Sequence, residues 1–466
     1  MFFAVSSAPT HSQTLFENWE KPKLVFVFTG FLNGYIEPCG CAGLDNMKGG
    51  LSRRHTFFQE LEKKGWNVLA IDAGNLNKGV SKQEELKYNF VIDESLQQMN
   101  YAASGFGNRE LLFPTDTLIL YSVDSPGVPK RYTSANVGII EFSPDLVSPY
   151  RTFEKGGVKT GVVSVLCDSQ LKKINNADIQ TADAAAKLKE VLPKLDAEKC
   201  TKKILIVFGT DEEIDAILDS FADRFDFVLP STTPAEPPLK PRYRHKTMIV
   251  DVGEKGRYAV AVGLFDDGVK YERVPFDSRF KMSETVTKLM QLYQTQLKEA
   301  GLKELGIRPL PYAQFETLGK FVGSAKCADC HEKAYSVWKK SKHGNAWKSL
   351  TTTAKPARHF DPECIACHSV GWNTAECLPY QNAYQSEKET PELISVGCES
   401  CHGAGGKHIL AEQGTDKNVQ EKIRLALRLP LENDAAKTRC VTCHDGDNSP
   451  KFDFEKYWKM VEHREE

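Results

Sequence analysis

The sequence predicts two architectures in one chain, an α/β layered domain followed by a mainly helical one. Three observations predict this. Between residues 20 and 275, short β-branched runs alternate with helical patterns. After residue 321 the strand pattern stops, and Gly and short helical stretches take over. Cysteine is distributed just as unevenly, with nine of the 13 lying after residue 320. A chain of 466 residues accommodates two or three ordinary cores, and 41% apolar with 26% charged residues reads as globular, not disordered.

The elements follow in order. Residues 1–20 form a tail whose apolar "MFFAV" and small residues resemble the end of a secretory signal without its basic start; a disordered terminus is the equal alternative. Residues 21–278 form the α/β domain. "KLVFVFTG" reads as a strand, "GGLSRRHTFFQELEKKG" as an amphipathic helix and "WNVLAIDAG" as the next strand. "GVKTGVVSVLCDS", "KKILIVFGT", "FDFVLPS", "HKTMIVDVG" and "YAVAVGLFDDG" continue the strand series toward an antiparallel end. Residues 279–320 hold a helical stretch, 282–305, and a Pro-containing linker, "GIRPLPYAQFETLG". Residues 321–466 are the helical domain.

A net charge of −2 provides no basic field for nucleic acid. The best apolar run, "KILIVFG", is far too short to span a bilayer, so no transmembrane span is expected.

Eight of the nine late cysteines fall in four C-x-x-C-H units: Cys327/Cys330/His331, Cys364/Cys367/His368, Cys398/Cys401/His402 and Cys440/Cys443/His444. Random placement predicts roughly 0.01 such units. In this unit the two thiols bond the haem vinyl groups as thioethers and the adjacent His becomes the proximal iron ligand. Half zinc sites are the rival, but four units each with its own His are poorly explained that way. Four covalent haem c groups are therefore expected, and with them export to a periplasmic or comparable compartment.

Four further histidines, His343, His359, His408 and His463, bring the total after residue 320 to eight, two per iron. That count fits bis-histidine, electron-transferring haems. His408 lies six residues after His402, and so short a tether does not carry a side chain around the macrocycle. It should cap a neighbouring haem.

"KCADCHEKAYSVWKKSKHGNAWKSL", "ECIACHSVGW", "VGCESCHGAGGKH" and "RCVTCHDGDNSPKFDFEKYWKMVEH" resemble the successive segments of the tetrahaem cytochrome c-554 family. The resemblance implies that His343 caps the haem of the third motif, His408 that of the first and His463 that of the fourth. In that family the second-motif haem can be five-coordinate. His359 departs from the pattern and is a candidate sixth ligand on the haem of His368, although it shares the tether objection.

"VFTGFLNGYIEPCGC", "GGLSRRHTFFQELEKKGWNVLAIDAGNL", "GFGNREL" and "FDFVLPSTTP" are similar to the calcineurin-like metallophosphoesterase domain of 5'-nucleotidases. That family holds two metals with D-x-H, G-D, G-N-H-[ED], a later His and G-H-x-H. Here those positions read Phe31-Leu32-Asn33, Gly74-Asn75, Gly107-Asn108-Arg109-Glu110, Gly209-Thr210 and Pro230-Ser231-Thr232-Thr233. One amide, Asn108, does not hold two divalent ions, so hydrolysis is not expected.

Cys39 and Cys41 follow the first strand, and Cys167 follows a later one. Three readings stand open for them: a thiolate copper or zinc site, a thiol redox site, or structural thiols. Cys200 and Cys377 are left over and could pair. Arg53, Arg54 and Arg109 could bind an oxyanion. The expected function is electron transfer between redox protein partners. The alternatives are an oxidoreductase acting on a small nitrogen or sulfur compound, and a phosphoesterase fused to a cytochrome.

Overall fold

The computed structural model describes residues 14–38, 47–123, 131–431 and 434–463. The chain divides into two compact units: residues 1–35, 49–79 and 96–276, and residues 36–48, 80–95 and 277–466.

The first unit is an α/β sandwich of two six-stranded sheets. Its strands are β1 (Leu24–Thr29), β2 (Val68–Asp72), β3 (Tyr101–Gly105), β4 (Tyr132–Thr133), β5 (Val137–Ile139), β6 (Arg151–Lys155), β7 (Val158–Leu166) and β8 (Ile179–Thr181). They continue with β9 (Lys202–Phe208), β10 (Phe227–Pro230), β11 (Arg242–Arg244), β12 (Thr247–Ile249), β13 (Tyr258–Phe265) and β14 (Gly268–Pro275). One sheet runs β14-β13-β1-β2-β3-β4 and the other β11-β12-β10-β9-β7-β6, while β5 and β8 form a separate ribbon.

β1, β2, β3 and β4 are parallel, as the alternation with helices requires, and β13 joins β1 antiparallel. β1 reads LVFVFT and is buried on both faces, so it shows a continuous apolar run where a one-sided strand would alternate. Phe26 and Phe28 of β1 meet Phe227 of β10 at 5.2 and 5.6 Å between ring centroids, which places the two sheets face to face. Leu188, Val191, Leu192 and Leu195 of the helix Ala184–Ala197, with Ile214, Ile217, Leu218 and Phe221 of the helix Asp211–Phe221, cover the outer side of the second sheet. Thr210 and Glu213 close a capping box at the start of the latter helix.

The second unit is mainly helical. Its longest helix, Glu284–Glu304, buries Val286, Met290, Tyr293 and Leu297 and kinks at Gly301, whose φ is 65°. One small ribbon, Trp372–Asn373 with Leu378–Pro379, escapes the sequence reading. Residues 80–95, which the alternation of strands and helices groups with the α/β domain, fold with the second unit. Lys87 Nζ, fully buried, pairs with Glu84 at 2.7 Å and with Glu363 at 2.9 Å. Gln83 and Gln294 each donate an amide N–H to Asp361, at 3.0 and 2.9 Å. Asp361 in turn caps the helix Pro362–His368, which carries the second C-x-x-C-H unit.

The apolar core of the second unit gathers around Leu318, Phe321, Trp347, Ile365, Trp372 and Tyr384. Toward the C-terminus apolar side chains are left outside it, with Leu410, Leu425 and Met460 each more than half exposed. No helix of the described residues is long and apolar enough to cross a membrane.

Candidate functional site

In the second unit, three pairs of imidazole rings face one another. His331 stands 6.2 Å from His408, His343 stands 6.0 Å from His444, and His402 stands 5.9 Å from His463, between ring centroids. Two nitrogen–metal bonds of about 2 Å each, with a ring half-width of about 1 Å on either side, span about 6 Å. Each gap therefore fits one six-coordinate iron. In every pair one ring belongs to a C-x-x-C-H unit and the other to a histidine outside the units.

The resemblance implies His343 with His402, His408 with His331 and His463 with His444; the facing rings coincide with the second of these pairs and differ from the other two. His408 does face His331. His343 faces His444 of the fourth motif, not His402, and His463 faces His402 of the third motif, not His444. The chain after the fourth motif shows why. Ser449 Oγ lies 2.9 Å from His444 Nδ1, and the Phe452 ring stacks on His444 at 4.5 Å. That segment folds back on His444, and the helix Phe454–Trp458 then carries His463 away from it.

The ring of His359, the candidate sixth ligand on the haem of His368, packs against Trp347 at 6.2 Å and Phe360 at 3.9 Å between centroids. It lies on the short turn before the helix Pro362–His368, where the tether is shortest.

The outer nitrogens of the ligand rings are held by the backbone. His402 Nδ1 is 2.8 Å from Leu427 O, and His463 Nδ1 is 2.9 Å from Val461 O. His368 Nδ1 is 2.9 Å from Ala346 O and 3.3 Å from Ser349 Oγ, while Ser349 Oγ donates to Ala346 O at 2.6 Å. A carbonyl only accepts and the serine proton is already used, so His368 carries its proton on Nδ1. That leaves Nε2 for a metal. Desolvation lowers the pKa of His343, His368, His402 and His444, so the rings stay neutral and able to ligate.

The motif thiols also approach one another across motifs. Cys327 of the first lies near Cys398 of the third, and Cys367 of the second lies near Cys443 of the fourth. Cys330 is exposed, while the other seven motif cysteines are partly covered. The reason is the local backbone. Cys330 N and His331 N both bond back to Cys327 O, at 3.3 and 2.9 Å, and this turn leaves Asp329 and Cys330 on the surface while Cys327 lies inward. Cys330 is therefore set apart from the enclosed thiols, at the solvent side of the first motif.

Sequence reasoning missed Glu399, inside the third motif and 5% exposed. Its carboxylate accepts the N–H groups of Val322, Gly323 and Gly405 at 3.0, 2.8 and 2.7 Å. The legible signal was an acid between the two cysteines of a motif followed by a glycine-rich turn.

In the first unit, the positions of the expected metal ligands serve the backbone. The Glu110 carboxylate accepts N–H groups from Asn75 at 3.1 Å, from Gly107 at 3.0 Å and from Leu76. Asn75 Nδ2 donates to Asn108 Oδ1 at 3.4 Å, and Asn75 Oδ1 accepts from Arg109 N at 3.2 Å. Ser231 Oγ accepts from Gly209 N at 3.0 Å, and Thr233 Oγ1 accepts from Gly253 N at 3.0 Å. Among the described residues no three His, Cys, Asp or Glu side chains converge on a common point.

Arg54 is fully buried, with Nη1 3.6 Å from Asp72 Oδ2 and 3.4 Å from both Thr29 Oγ1 and Tyr101 OH. Its Nη1 faces Asp72, while Nε and Nη2 are buried without a hydrogen-bond partner among the described residues. Arg53 is 2% exposed. Cys39 and Cys41 lie outside the described residues. Cys167 is a core residue, its thiol pushed up to about 12 by burial and by the nearby Glu213 carboxylate. Cys200 is buried in the core of the second sheet, and Cys377 Sγ is 3.6 Å from Thr374 O.

Comparison with known proteins agrees with this division. Residues 326–403, which span the first three C-x-x-C-H units, match the family described as cytochrome c554 and c-prime. Cytochrome c-554 of Nitrosomonas europaea is 31% identical over 140 residues, covering 27% of this chain and 57% of that protein. A 5'-nucleotidase of Vibrio parahaemolyticus is 26% identical over 155 residues, covering 31% of this chain and 27% of that protein. The chain thus spans little more than half of one relative and about a quarter of the other. Among solved structures, the sulfate thiohydrolase SoxB of Thermus thermophilus superposes with a TM-score of 0.51 at 13% identity, over 68% of this chain and 69% of that one. The last likeness is one of fold.

Proposed function

We propose that this chain is an exported tetrahaem c-type cytochrome that transfers electrons between redox protein partners. Its phosphoesterase-like unit does not hydrolyse phosphoesters. The chain joins an N-terminal α/β sandwich of nucleotidase-like fold to a C-terminal c554-type sequence. The observation that supports the reading best is the three facing imidazole pairs, because an iron held by two histidines has no open position and serves electron transfer.

Covalent haem c supplies one-electron chemistry at each motif. The residues supply its attachment and orientation. Cys327/Cys330, Cys364/Cys367, Cys398/Cys401 and Cys440/Cys443 provide the thioethers, and His331, His368, His402 and His444 the proximal nitrogens. Cys330, which is exposed, would hold its thioether at the solvent side of the first motif. His408, His343 and His463 provide distal nitrogens for the first, fourth and third motifs respectively. The nearness of Cys327 to Cys398 and of Cys367 to Cys443 supports a reading in which the first motif's centre would neighbour the third's and the second's the fourth's, the closeness that electron exchange needs.

The test is intact-protein mass spectrometry with a pyridine haemochrome assay on chain produced in a periplasm. Four covalent haems are expected. Fewer than four on fully matured protein, or zinc in their place, would sink the reading.

A further inference from the structure

The charge of the second unit is segregated. Residues 333–358 contain six lysines and one arginine and no aspartate or glutamate, in a chain whose net charge is −2. Since −2 − 7 = −9, the rest of the chain carries nine negative charges in excess. Arg358 is taken up by Glu37. Lys339, Lys340, Lys342 and Lys348 are exposed, and among the described residues none of them joins an ion pair. Lys339 lies over the Tyr335 ring at 5.8 Å.

Lys339 and Lys340 end the helix Glu332–Lys340, where the helix dipole favours cations. That effect does not reach Lys342 or Lys348, and it does not explain 26 residues without an acid. The stretch is also where the proposed centres are held. His343 faces His444 of the fourth motif, and Ala346 O and Ser349 Oγ hold His368 of the second. Exposed Val337, 37% accessible, adds apolar surface beside the lysines.

We propose that Lys339, Lys340, Lys342 and Lys348 form the docking face for an acidic electron-transfer protein, at the edge served by the second and fourth motifs. The proposal rests on the electron-transfer reading above and adds to it the chemistry of the partner. Unpaired like charges clustered in one exposed stretch steer an oppositely charged partner and orient it, raising the association rate at low salt. In the exchange itself the partner loses one electron and one ferric centre of this chain gains it.

The test uses the haem-loaded full chain, oxidised, mixed in stopped flow with a reduced acidic plant-type ferredoxin as probe. The second-order rate should fall about tenfold as the salt rises from low to physiological. The variant K339E/K340E/K342E/K348E should lose about tenfold in the low-salt rate and lose the salt dependence, with haem content and visible spectrum unchanged. A basic c-type cytochrome used as the probe should show the opposite salt trend. Equal rates and equal salt dependence in wild type and variant would overturn the proposal while leaving the electron-transfer reading intact. Sedimentation of wild type, but not variant, with phosphatidylglycerol vesicles would reassign the strip to a membrane surface and also overturn it. Centres that neither the probes nor dithionite reduce would sink the electron-transfer reading itself.

Discussion

His463 stands ring to ring with His402, 5.9 Å between centroids, with the planes at 57°. The last described residue of the chain thereby reaches across to the third attachment motif, past the fourth, which is its nearest neighbour in sequence. The prediction is specific. H463A should convert one low-spin centre to high spin by electron paramagnetic resonance. Combining it with H402M should perturb no second centre, because both residues serve one iron, whereas combining it with H444M should perturb two. Two perturbed centres in the H463A/H402M protein would refute the pairing.

His359 packs on Phe360 and Trp347. H359A should therefore leave the number of high-spin and low-spin centres unchanged. A low-spin signal lost from H359A, and restored by imidazole added to the solution, would make it a ligand after all.

The four candidate attachment motifs were legible because the pattern is local, a cysteine pair with an adjacent histidine within five residues each. The unequal cover of the paired thiols was not, since the exposure of Cys330 depends on how the turn from Cys327 meets the rest of the unit. The strands were legible because β1 and β9 are continuous apolar runs of the length a buried strand needs. Which histidine rings face one another was hidden. It depends on where Ser449 and Phe452 turn the chain, a matter of tertiary packing on His444 that no spacing rule encodes. The same holds for residues 80–95. Their helical pattern is evident, but their place in the second unit is set by Lys87 and Gln83 finding Glu363 and Asp361, 276 and 278 positions away.

In the first unit, Asn75, Asn108, Ser231 and Thr233 spend their polar groups on the backbone and on each other. Added manganese or magnesium should yield no phosphate from nucleoside monophosphates. Dialysis against EDTA should leave the melting temperature of this unit within about 1 °C, because a group that binds no metal in the folded state gains no stability from one. Metal-dependent phosphate release would overturn the non-hydrolytic assignment.

Glu110 gives the same unit a pH dependence. Burial raises its carboxyl to about 7, against the pull of the N–H groups of Leu76 and Asn75. The folded state therefore binds this proton more tightly than the unfolded chain, whose glutamate titrates near its ordinary value. The stabilisation is fully present below about pH 4.5 and is lost as the pH rises to about 7, a change of about 3 kcal/mol. Urea midpoints of the strand circular dichroism signal should fall over that range in wild type. In E110Q they should be nearly flat, and an equal slope in both proteins would show that Glu110 is not the group responsible.

Glu399 makes the corresponding case for the second unit. Its carboxylate is the common acceptor for the N–H groups of Val322, Gly323 and Gly405, all of which would otherwise be left unmatched beside the third motif. E399A removes that acceptor and leaves buried donors at about 1–3 kcal/mol each, so a loss of several kcal/mol is expected. The loss should be local. The turn that sets His402 beside His463 should loosen, and thermal melting followed at the haem bands should shift down by about 10 °C or more, with the strand signal of the first unit unmoved. E399Q keeps one acceptor oxygen and should recover part of the shift. If E399A melts like wild type, the three hydrogen bonds contribute nothing to holding the third motif in place.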